Sequence, residues 1–554
     1  MNKKLKILMC SEASFLSSGF GIYTKELLSR LHQTDKYEIA EFASYGFVND
    51  PRDRSIPWRY YANAVKQEDP RYKEYMSRTD NQFGRWRFEK VLMDFKPDVV
   101  IDIRDYWMSS YQLMSPLRKF FHWILMPTVD SAPQQDDWID TFMNADAVFT
   151  YSDWGAETIL KQSNNTINYV DTTSPGVDLD IFKPLNTQMV RDKYNVPQDA
   201  FIIGSVMRNQ KRKLIPDLMQ SFAKVLKNLK SKNHPLADKT YLYLHTSYPD
   251  MGWDIPELLL DTNISKVLFT YTCKSCSNVT VRNFAGPIIT CPKCKSNTLG
   301  LSSVSNGVNN NTLSEIYNLF DMYVQYAICE GFGMPQVEAG ACGVPVTTVK
   351  YSAMVDIVKK LSAFPIEVKS YFKELETKAI RAYPDNDQLI SHIVKTINAP
   401  LEMRQKKKIK VRNSTEKHYN WNDVAKKWEK YLDSLDESGY RANWNPLPHI
   451  SLNPEIINSS NKSNFTKLLE TYATSFNKPD DIGSYRALEW LFYSDYGFIQ
   501  NGPTTISPYS FMQNTTKDLQ TMVGNHNQCM EMLKQPNINL QDDFIQYANL
   551  KQRK

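Results

Sequence analysis

Apolar runs and runs with helical spacing alternate along most of the first 435 positions. Strands are predicted by the apolar runs at 5–10, 97–101, 123–126, 145–151, 201–206, 266–270 and 322–328. Helices are predicted by the amphipathic runs at 22–31, 153–162, 215–228, 337–342 and 421–435. Several neighbouring runs form the order strand, loop, helix. The loops between them are therefore the first places to look for a ligand.

The loop at 330–338 carries the richest chemistry. It holds two carboxylates eight positions apart, Glu330 and Glu338, with two glycines and Pro335 between them. The glycines allow the backbone to approach a ligand closely, and a helix beginning near Pro335 presents free N–H groups that favour an anion. Both carboxylates can accept hydrogen bonds from sugar hydroxyls. The alternative is a surface loop with two solvated acids.

Two further loops follow predicted strands and have the composition of phosphate sites. Arg208 and Lys213, five positions apart, come after the strand at 201–206 and suit a diphosphate; a solvated basic loop is the alternative. Gly19 and Gly21 lie between the first strand and its helix, where a loop can admit a phosphate or a sugar. A plain turn is the alternative there.

Four of the eight cysteines form two Cys-x2-Cys pairs separated by 14 residues: Cys273, Cys276, Cys291 and Cys294. This spacing predicts a four-thiolate zinc ribbon over 266–300, with structural rather than catalytic zinc because no ligand position stays open. Disulfides are the alternative. The segment has five basic residues and no acids, with Phe269, Tyr271 and Phe284 interleaved, which suggests a docking surface.

Length, charge and composition limit the remaining possibilities. The 554 residues suggest two or three domains, and 42% apolar residues suffice for sizeable cores. A net charge of +5 is small for this length and does not demand a nucleic-acid partner. No run approaches 18 apolar residues, so no membrane span is expected. The basic start leads into a predicted strand rather than a signal peptide, and the other four cysteines suit reduced thiols, so a cytoplasmic location is expected.

The segment 330–338 resembles the Glu-x7-Glu signature of retaining glycosyltransferases of the two-domain GT-B fold, in the family called GT4. The flanking residues 321–324 and 338–346 match as well, as do 145–152. The interdomain pattern at 175–184 matches apart from one residue that is missing between Pro175 and Gly176. The resemblance covers roughly 5–48 and 97–435, apart from the ribbon. It implies an α/β architecture of two Rossmann-like domains facing a cleft, and sugar transfer from a nucleotide-sugar with retention at the anomeric carbon.

The resemblance also implies roles for individual residues. The donor-binding set would be Gly19, Gly21, Arg208, Lys213, Glu330, Gly331, Phe332, Gly333, Met334 and Glu338. Arg208 and Lys213 would stabilise the leaving diphosphate, so no catalytic metal is expected. Glu330 would hold sugar hydroxyls, and Glu338 would hold the ribose.

Four other positions bear on the chemistry of the first domain. Many family members have a histidine near Asp130, which is the nearest candidate here for the catalytic group of the first domain. His122, eight residues earlier, is expected to be a core residue. Asp178 and Asp180 look like a metal-binding pair but fit the interdomain pattern, which binds no metal.

The predicted domains are 1–185, on the acceptor side, and 186–400, which binds the donor and carries the ribbon. Residues 401–445 are expected to form helices that cross back to the first domain. Residues 446–554 are expected to be a partly helical appendix for acceptor recognition or oligomerisation. Residues 50–90 are interpreted as an insertion near the acceptor, or as a polar surface excursion.

The acceptor stays open between a glycan and a macromolecule such as DNA with hydroxymethylated bases. Three other functions also stay open: a nucleotide-sugar epimerase, a phosphorylase, or a nucleic-acid-binding protein on the GT-B scaffold. The sequence names neither the sugar nor the nucleotide, and it leaves the oligomeric state unknown.

Overall fold

The computed structural model describes residues 4–47, 50–115, 117–303, 306–375 and 377–435, and the strand at 545–547. The described chain forms two α/β domains, each built on its own sheet. Most of the segment 446–554, for which an appendix was predicted, lies outside the described residues.

The first domain has a seven-stranded parallel sheet in the order β3-β2-β1-β4-β5-β6-β7. Its strands are β1 Leu5–Glu12, β2 Tyr37–Phe47, β3 Arg59–Ala64, β4 Val99–Asp102, β5 His122–Leu125, β6 Ala147–Thr150 and β7 Tyr169–Thr172. Its helices are α1 Gly19–Gln33, α2 Tyr72–Tyr75, α3 Phe88–Phe95, α4 Tyr106–Ser109, α5 Asp136–Met143 and α6 Asp153–Gln162. Short 3-10 turns cover Pro51–Ser55, Thr79–Phe83, Arg85–Arg87, Ser110–Gln112 and Arg118–Phe120.

Burial on both faces of the sheet explains why the sequence of strand β1 is an unbroken apolar run. Ile7 and Met9 pack into one hydrophobic core, and Leu8 and Cys10 pack into another on the opposite face of the sheet. A parallel sheet covered on both faces needs apolar side chains at every position.

The second domain has a parallel sheet in the order β10-β9-β8-β14-β15-β16, extended by short antiparallel strands. Its strands are β8 Phe201–Val206, β9 Thr240–His245, β10 Val267–Cys273, β11 Val279–Asn283, β12 Ile288–Ile289, β13 Leu299–Leu301, β14 Met322–Gln325, β15 Val346–Val349 and β16 Phe364–Ile366. Its helices are α7 Thr187–Tyr194, α8 Ile215–Ser231, α9 Ile255–Thr262, α10 Asn310–Tyr317, α11 Met334–Ala341, α12 Met354–Leu361 and α13 Asn386–Asn398. A 3-10 turn at Lys211–Lys213 precedes α8.

A hairpin of β17 Val368–Lys373 and β18 Ile380–Pro384 follows the last strand of the second sheet. Ile380 pairs with Ala132 of the first domain, and the side chain of Arg381 reaches Asp130. The hairpin therefore connects the two domains at one side of the cleft.

Two further helices, α14 Leu401–His418 and α15 Trp421–Asp433, end the continuous described chain. Helix α15 packs on the first domain: the ring of Trp428 stacks on Phe149 with centroids 4.0 Å apart, and its Nε1 donates to Tyr23 Oη at 2.9 Å. Where the chain returns, a Cβ on Gly176 would lie 2.5 Å from the backbone nitrogen of Trp421. The two segments that cross between the domains, one at Gly176 and one at Trp421, are thus packed directly against each other.

The interpretation of residues 50–90 as an insertion or a polar surface excursion is wrong for residues 58–64. Residues 59–64 form β3 in the main sheet, and Trp58, Tyr60 and Tyr61 are buried. The sequence did not predict this strand, because the spacing of its aromatic residues has no clear period. Beyond β3, strand β19 Ile545–Tyr547 pairs antiparallel with it at the edge of the sheet.

Among the described helices, none combines the length and the apolar character that crossing a bilayer requires.

Candidate active site

A cavity of about 760 Å³ lies between the two domains. This volume is within the usual range for a small-molecule site. All the predicted donor-binding residues except Gly21 line it. Gly21 has another reason to be glycine, because a Cβ there would lie 2.6 Å from the carbonyl oxygen of Leu16.

The signature loop reaches the cavity between β14 and α11, and its two glycines are needed for different reasons. Gly333 has φ +87°, in the left-handed region that favours glycine, and it starts α11. A Cβ on Gly331 would lie 2.3 Å from Cγ2 of Thr128, across the cleft. The N-terminus of α11 therefore opens onto the cavity, with the first domain packed closely against the loop.

Glu330 is the centre of a buried charge network. Its Oε2 accepts from Arg212 at 2.8 Å, and its Oε1 accepts from Lys213 and, at 2.6 Å, from Gln325 Nε2. Burial alone would raise the pKa of Glu330, but the two cations outweigh it and lower the pKa to about 2. The side chain therefore stays ionised and holds both cations at the cavity wall.

Arg212 is a site residue that the sequence analysis missed. It lies in the Lys211–Lys213 turn, lines the cavity and donates to the carbonyl of Cys329 at 3.0 Å as well as to Glu330. The position of this turn directly after β8 was the available signal, but the resemblance pointed to Lys213 and gave no reason to add the neighbouring Arg212. Arg208, which was predicted, is half-exposed at the cavity and pairs with Asp250 at 3.0 Å.

Glu338 faces the cavity one turn beyond the N-terminus of α11. Its Oε2 accepts a hydrogen bond of 2.7 Å from Tyr317 Oη. Burial raises the pKa of Glu338 to about 7, against the opposing effect of the Tyr317 hydroxyl, although the side chain remains partly exposed to the cavity. It can therefore exist in either protonation state near neutral pH.

The first domain contributes a second helix N-terminus to the cavity. Ser18 caps α1 by accepting from the backbone of Gly21 at 3.1 Å, and Ser18 and Gly19 both line the cavity. Glu12 also lines it, and burial raises its pKa. Among the described residues that line the cavity, those of the first domain include no lysine, arginine or histidine.

Asp130, the predicted catalytic group of the first domain, is not among the residues that line the cavity. Its Oδ1 accepts from Arg381 at 3.0 Å, and the thiol of Cys329 donates to its Oδ2 at 3.4 Å. Arg381 is itself held by Glu374 at 2.7 Å. The carboxylate therefore fixes the β17–β18 hairpin next to the signature loop.

The structure brings a different acid, Asp105, toward the cleft from the end of β4. It is hydrogen-bonded to Thr128, which lines the cavity, and burial raises its pKa to about 6 against that hydrogen bond. Its sequence context gave no signal, because a single aspartate before a short helix is ordinary.

The other candidates have structural roles. His122 begins β5 inside the core, with Nε2 2.9 Å from Tyr431 Oη, as expected. Asp178 Oδ1 accepts from the backbone of Asp180 at 3.0 Å, which makes a turn at the junction. The described residues hold one cluster with metal-ligand geometry, and it does not include these aspartates.

That cluster is the predicted set Cys273, Cys276, Cys291 and Cys294, whose Sγ atoms all lie within 4.8 Å of one another. Two of the Sγ–Sγ distances are 3.6 and 3.7 Å. Tetrahedral zinc with Zn–S bonds of about 2.3 Å requires sulfurs about 3.8 Å apart. All four are free thiols rather than disulfides, so the residues fit a zinc ion.

The predicted aromatic docking surface of the ribbon is wrong in part. Phe269 and Tyr271 are fully buried, because β10 is a core strand of the second domain, and Phe284 packs against Phe269. The basic residues Lys274 and Arg282 are exposed. Of the three aromatic residues only Phe284 is partly exposed, so the exposed face carries charge with little aromatic surface for base stacking.

Part of the chain matches a known protein family. Residues 293–408 match the family model described as glycosyl transferases group 1. No curated protein sequence matches the chain.

Several solved structures are similar in fold over 78% of this chain. Sucrose-phosphate synthase from Thermosynechococcus elongatus is 16% identical, with a TM-score of 0.56 over 78% of this chain and 98% of that chain. An E. coli structure titled as trehalose-6-phosphate bound with UDP-2-fluoro glucose is 12% identical, with a TM-score of 0.52 over 78% and 100%. Anabaena HepE in complex with UDP has the same four values.

At these identities the likeness shows the fold alone. The predicted architecture is confirmed: the chain has the GT-B fold, and residues 293–408 of its second domain match the group 1 glycosyl transferase family.

Proposed function

We propose that this protein is a retaining glycosyltransferase that uses a nucleoside diphosphate sugar, with UDP-sugars as the leading donor class. The observation that carries the proposal is the convergence of Arg208, Arg212 and Lys213 with the N-termini of α1 and α11 on one cavity. Cations and helix N-termini suit the two negative charges of a diphosphate. The UDP complex of a structural neighbour with the same fold is consistent with this donor.

The cavity residues have different roles in the proposed reaction. The bond between the sugar C1 and the diphosphate oxygen breaks, and the acceptor oxygen bonds to C1 on the same face. The acceptor proton leaves with the nucleoside diphosphate. The three cations stabilise the charge that develops on the leaving diphosphate, so the cavity needs no metal for that task. Glu330 holds two of these cations, Arg212 and Lys213, and contacts sugar hydroxyls, and Glu338 accepts from the ribose.

Asp130 is proposed to act indirectly. Through Arg381 and Cys329 it holds the signature loop against the first domain, so that Glu330 keeps its position. We also propose one structural zinc ion per chain at the four cysteines. Metal analysis of protein purified under reducing conditions tests this; Cys276→Ser should lower the Tm, because zinc binding contributes to folding.

A neutral glycan is the acceptor class that the cavity favours. A sugar phosphate or DNA close to the reacting hydroxyl needs cations on the acceptor side, and the described lining of the first domain has none. Transfer to free sugars and oligosaccharides should therefore exceed transfer to the corresponding sugar phosphates. Faster transfer to the phosphates, or to hydroxymethylated DNA, would contradict this assignment.

The test of the activity is donor turnover. Purified protein is incubated with UDP- and GDP-sugars, and the release of nucleoside diphosphate is measured with and without sugar acceptors. Arg212→Ala should lower turnover about 100-fold, the scale of losing one charge-stabilising donor. Lys211→Ala is the matched control, because Lys211 is exposed on the same turn outside the cavity lining. Conversion of the donor to an epimer without release of nucleotide would identify an epimerase instead.

A further inference from the structure

The four-cysteine module is joined to the donor cavity by a short chain of contacts. Cys273 is the last residue of β10, and the strand pairs with β13 through Cys273–Leu299, Thr272–Gly300 and Tyr271–Leu301. Beyond the end of β13 at Leu301, a wall segment of the cavity is formed by Ser303, Gly307, Val308, Asn309 and Asn310. The cysteines therefore lie next to the β10–β13 strand pair, which precedes this wall segment in the chain.

Side chains tie the same segment to β10. Nδ2 of Asn306 donates to the carbonyl of Thr272, next to the ligand Cys273, at 2.7 Å. Oγ1 of Thr272 lies 3.0 Å from Oγ of Ser302. Both contacts are at the residue that immediately precedes a thiolate ligand, so a shift of Cys273 displaces the wall segment directly.

The segment continues into α10, which reaches the second carboxylate of the signature. Asn309 caps this helix by accepting from Thr312 at 2.9 Å, and Tyr317 at its other end donates to Glu338. The contact path thus runs from the thiolates through Thr272 and Asn306 to the cavity wall and, through α10, to Glu338.

We propose that the four-cysteine module is a positioning element for the nucleotide, so that occupancy of the metal site controls donor affinity as well as stability. The inference rests on the proposed donor site. It goes beyond a structural zinc, because a purely structural metal would change the Tm and leave the nucleotide affinity of the folded protein unchanged.

Calorimetric titration of the metal-loaded full chain with UDP, GDP and ADP establishes the tightest ligand. If none binds, the proposed function fails at this step, separately from the present inference. The tightest nucleotide is then titrated into chelator-treated protein whose helical content is intact by circular dichroism. The dissociation constant should rise at least about tenfold and return when zinc is restored. An unchanged constant in folded, metal-free protein overturns the proposal.

Two variants keep the test decisive if the metal-free chain unfolds. Asn306→Ala removes the amide contact with Thr272, leaves the Ser302 contact and all four thiolates, and should keep the zinc content while weakening nucleotide binding about two- to tenfold. Asn283→Ala is the control, because its Nδ2 also donates to a backbone carbonyl, Ser265 at 2.9 Å, on β11 outside the cavity lining. Equal affinities in both variants and the parent protein overturn the proposal.

Discussion

Replacing Glu330 by glutamine tests the buried charge network with almost no change in shape. The side chains of Glu330 and Lys213 are only 5% and 8% exposed, whereas Arg212 is 38% exposed. Loss of the carboxylate therefore leaves Lys213 as the main uncompensated charge. Removing one partner of a buried pair costs about 3–5 kcal/mol. We take about 3 kcal/mol, because glutamine still accepts a hydrogen bond. For unfolding of the second domain, which has about 200 residues, this corresponds to a fall in Tm of about 6–12 °C.

The same substitution should change the response to nucleotide and to pH. A bound diphosphate supplies the negative charge that Lys213 has lost, so saturating UDP should raise the Tm of the variant more than that of the parent. The pKa of Glu330 is lowered from its usual 4.5 to about 2. The ionised Glu330 therefore stabilises the folded protein fully above pH 4.5, and this contribution is lost as the pH falls toward 2. The stability of the variant should not show this decrease.

Differential scanning fluorimetry from pH 3 to 8, with and without UDP, measures both effects. Glu367→Gln is the control, because Glu367 pairs with Lys350 at 2.9 Å on the surface, with both side chains nearly half-exposed. This change should alter stability by less than about 1 kcal/mol. If Glu330→Gln behaves like the control, the network does not hold the cavity wall and the reasoning is refuted.

Three other substitutions have defined outcomes. Glu338 should bind ribose best when ionised, so the KM for the donor should fall as the pH rises through about 7, and Glu338→Gln should flatten that profile. Gly331→Ala should cost about 1–3 kcal/mol through its clash with Cγ2 of Thr128, and the double variant with Thr128→Ser should recover most of it in chemical denaturation. Arg381→Ala should lower the free energy of unfolding by about 2–4 kcal/mol, because Asp130 and Glu374 lose their shared cation. An unchanged midpoint in chemical denaturation would contradict this.

Much of the fold followed from local patterns. The apolar runs located seven of the thirteen parallel strands in the described residues, because strands covered on both faces need apolar residues at every position. The signature at 330–338 and the cysteine spacing indicated the donor loop and the metal cluster, because glycines, helix starts and thiolate pairs act within a few residues. The strand at 59–64 was missed, since its tyrosines are amphipathic and lie among many arginines.

The arrangement of charges at the site depended on contacts between distant residues. Arg212 and Glu330 are 118 positions apart, and Asp130 and Arg381 are 251 apart, so no periodicity in the sequence relates them. The sequence alone determined that cations and carboxylates follow the strands of an α/β chain. Only the packing of the two domains decided that Glu330 holds Arg212 and Lys213, and that Asp130 is held by Arg381, because ion pairing depends on distances of a few ångströms across the folded chain.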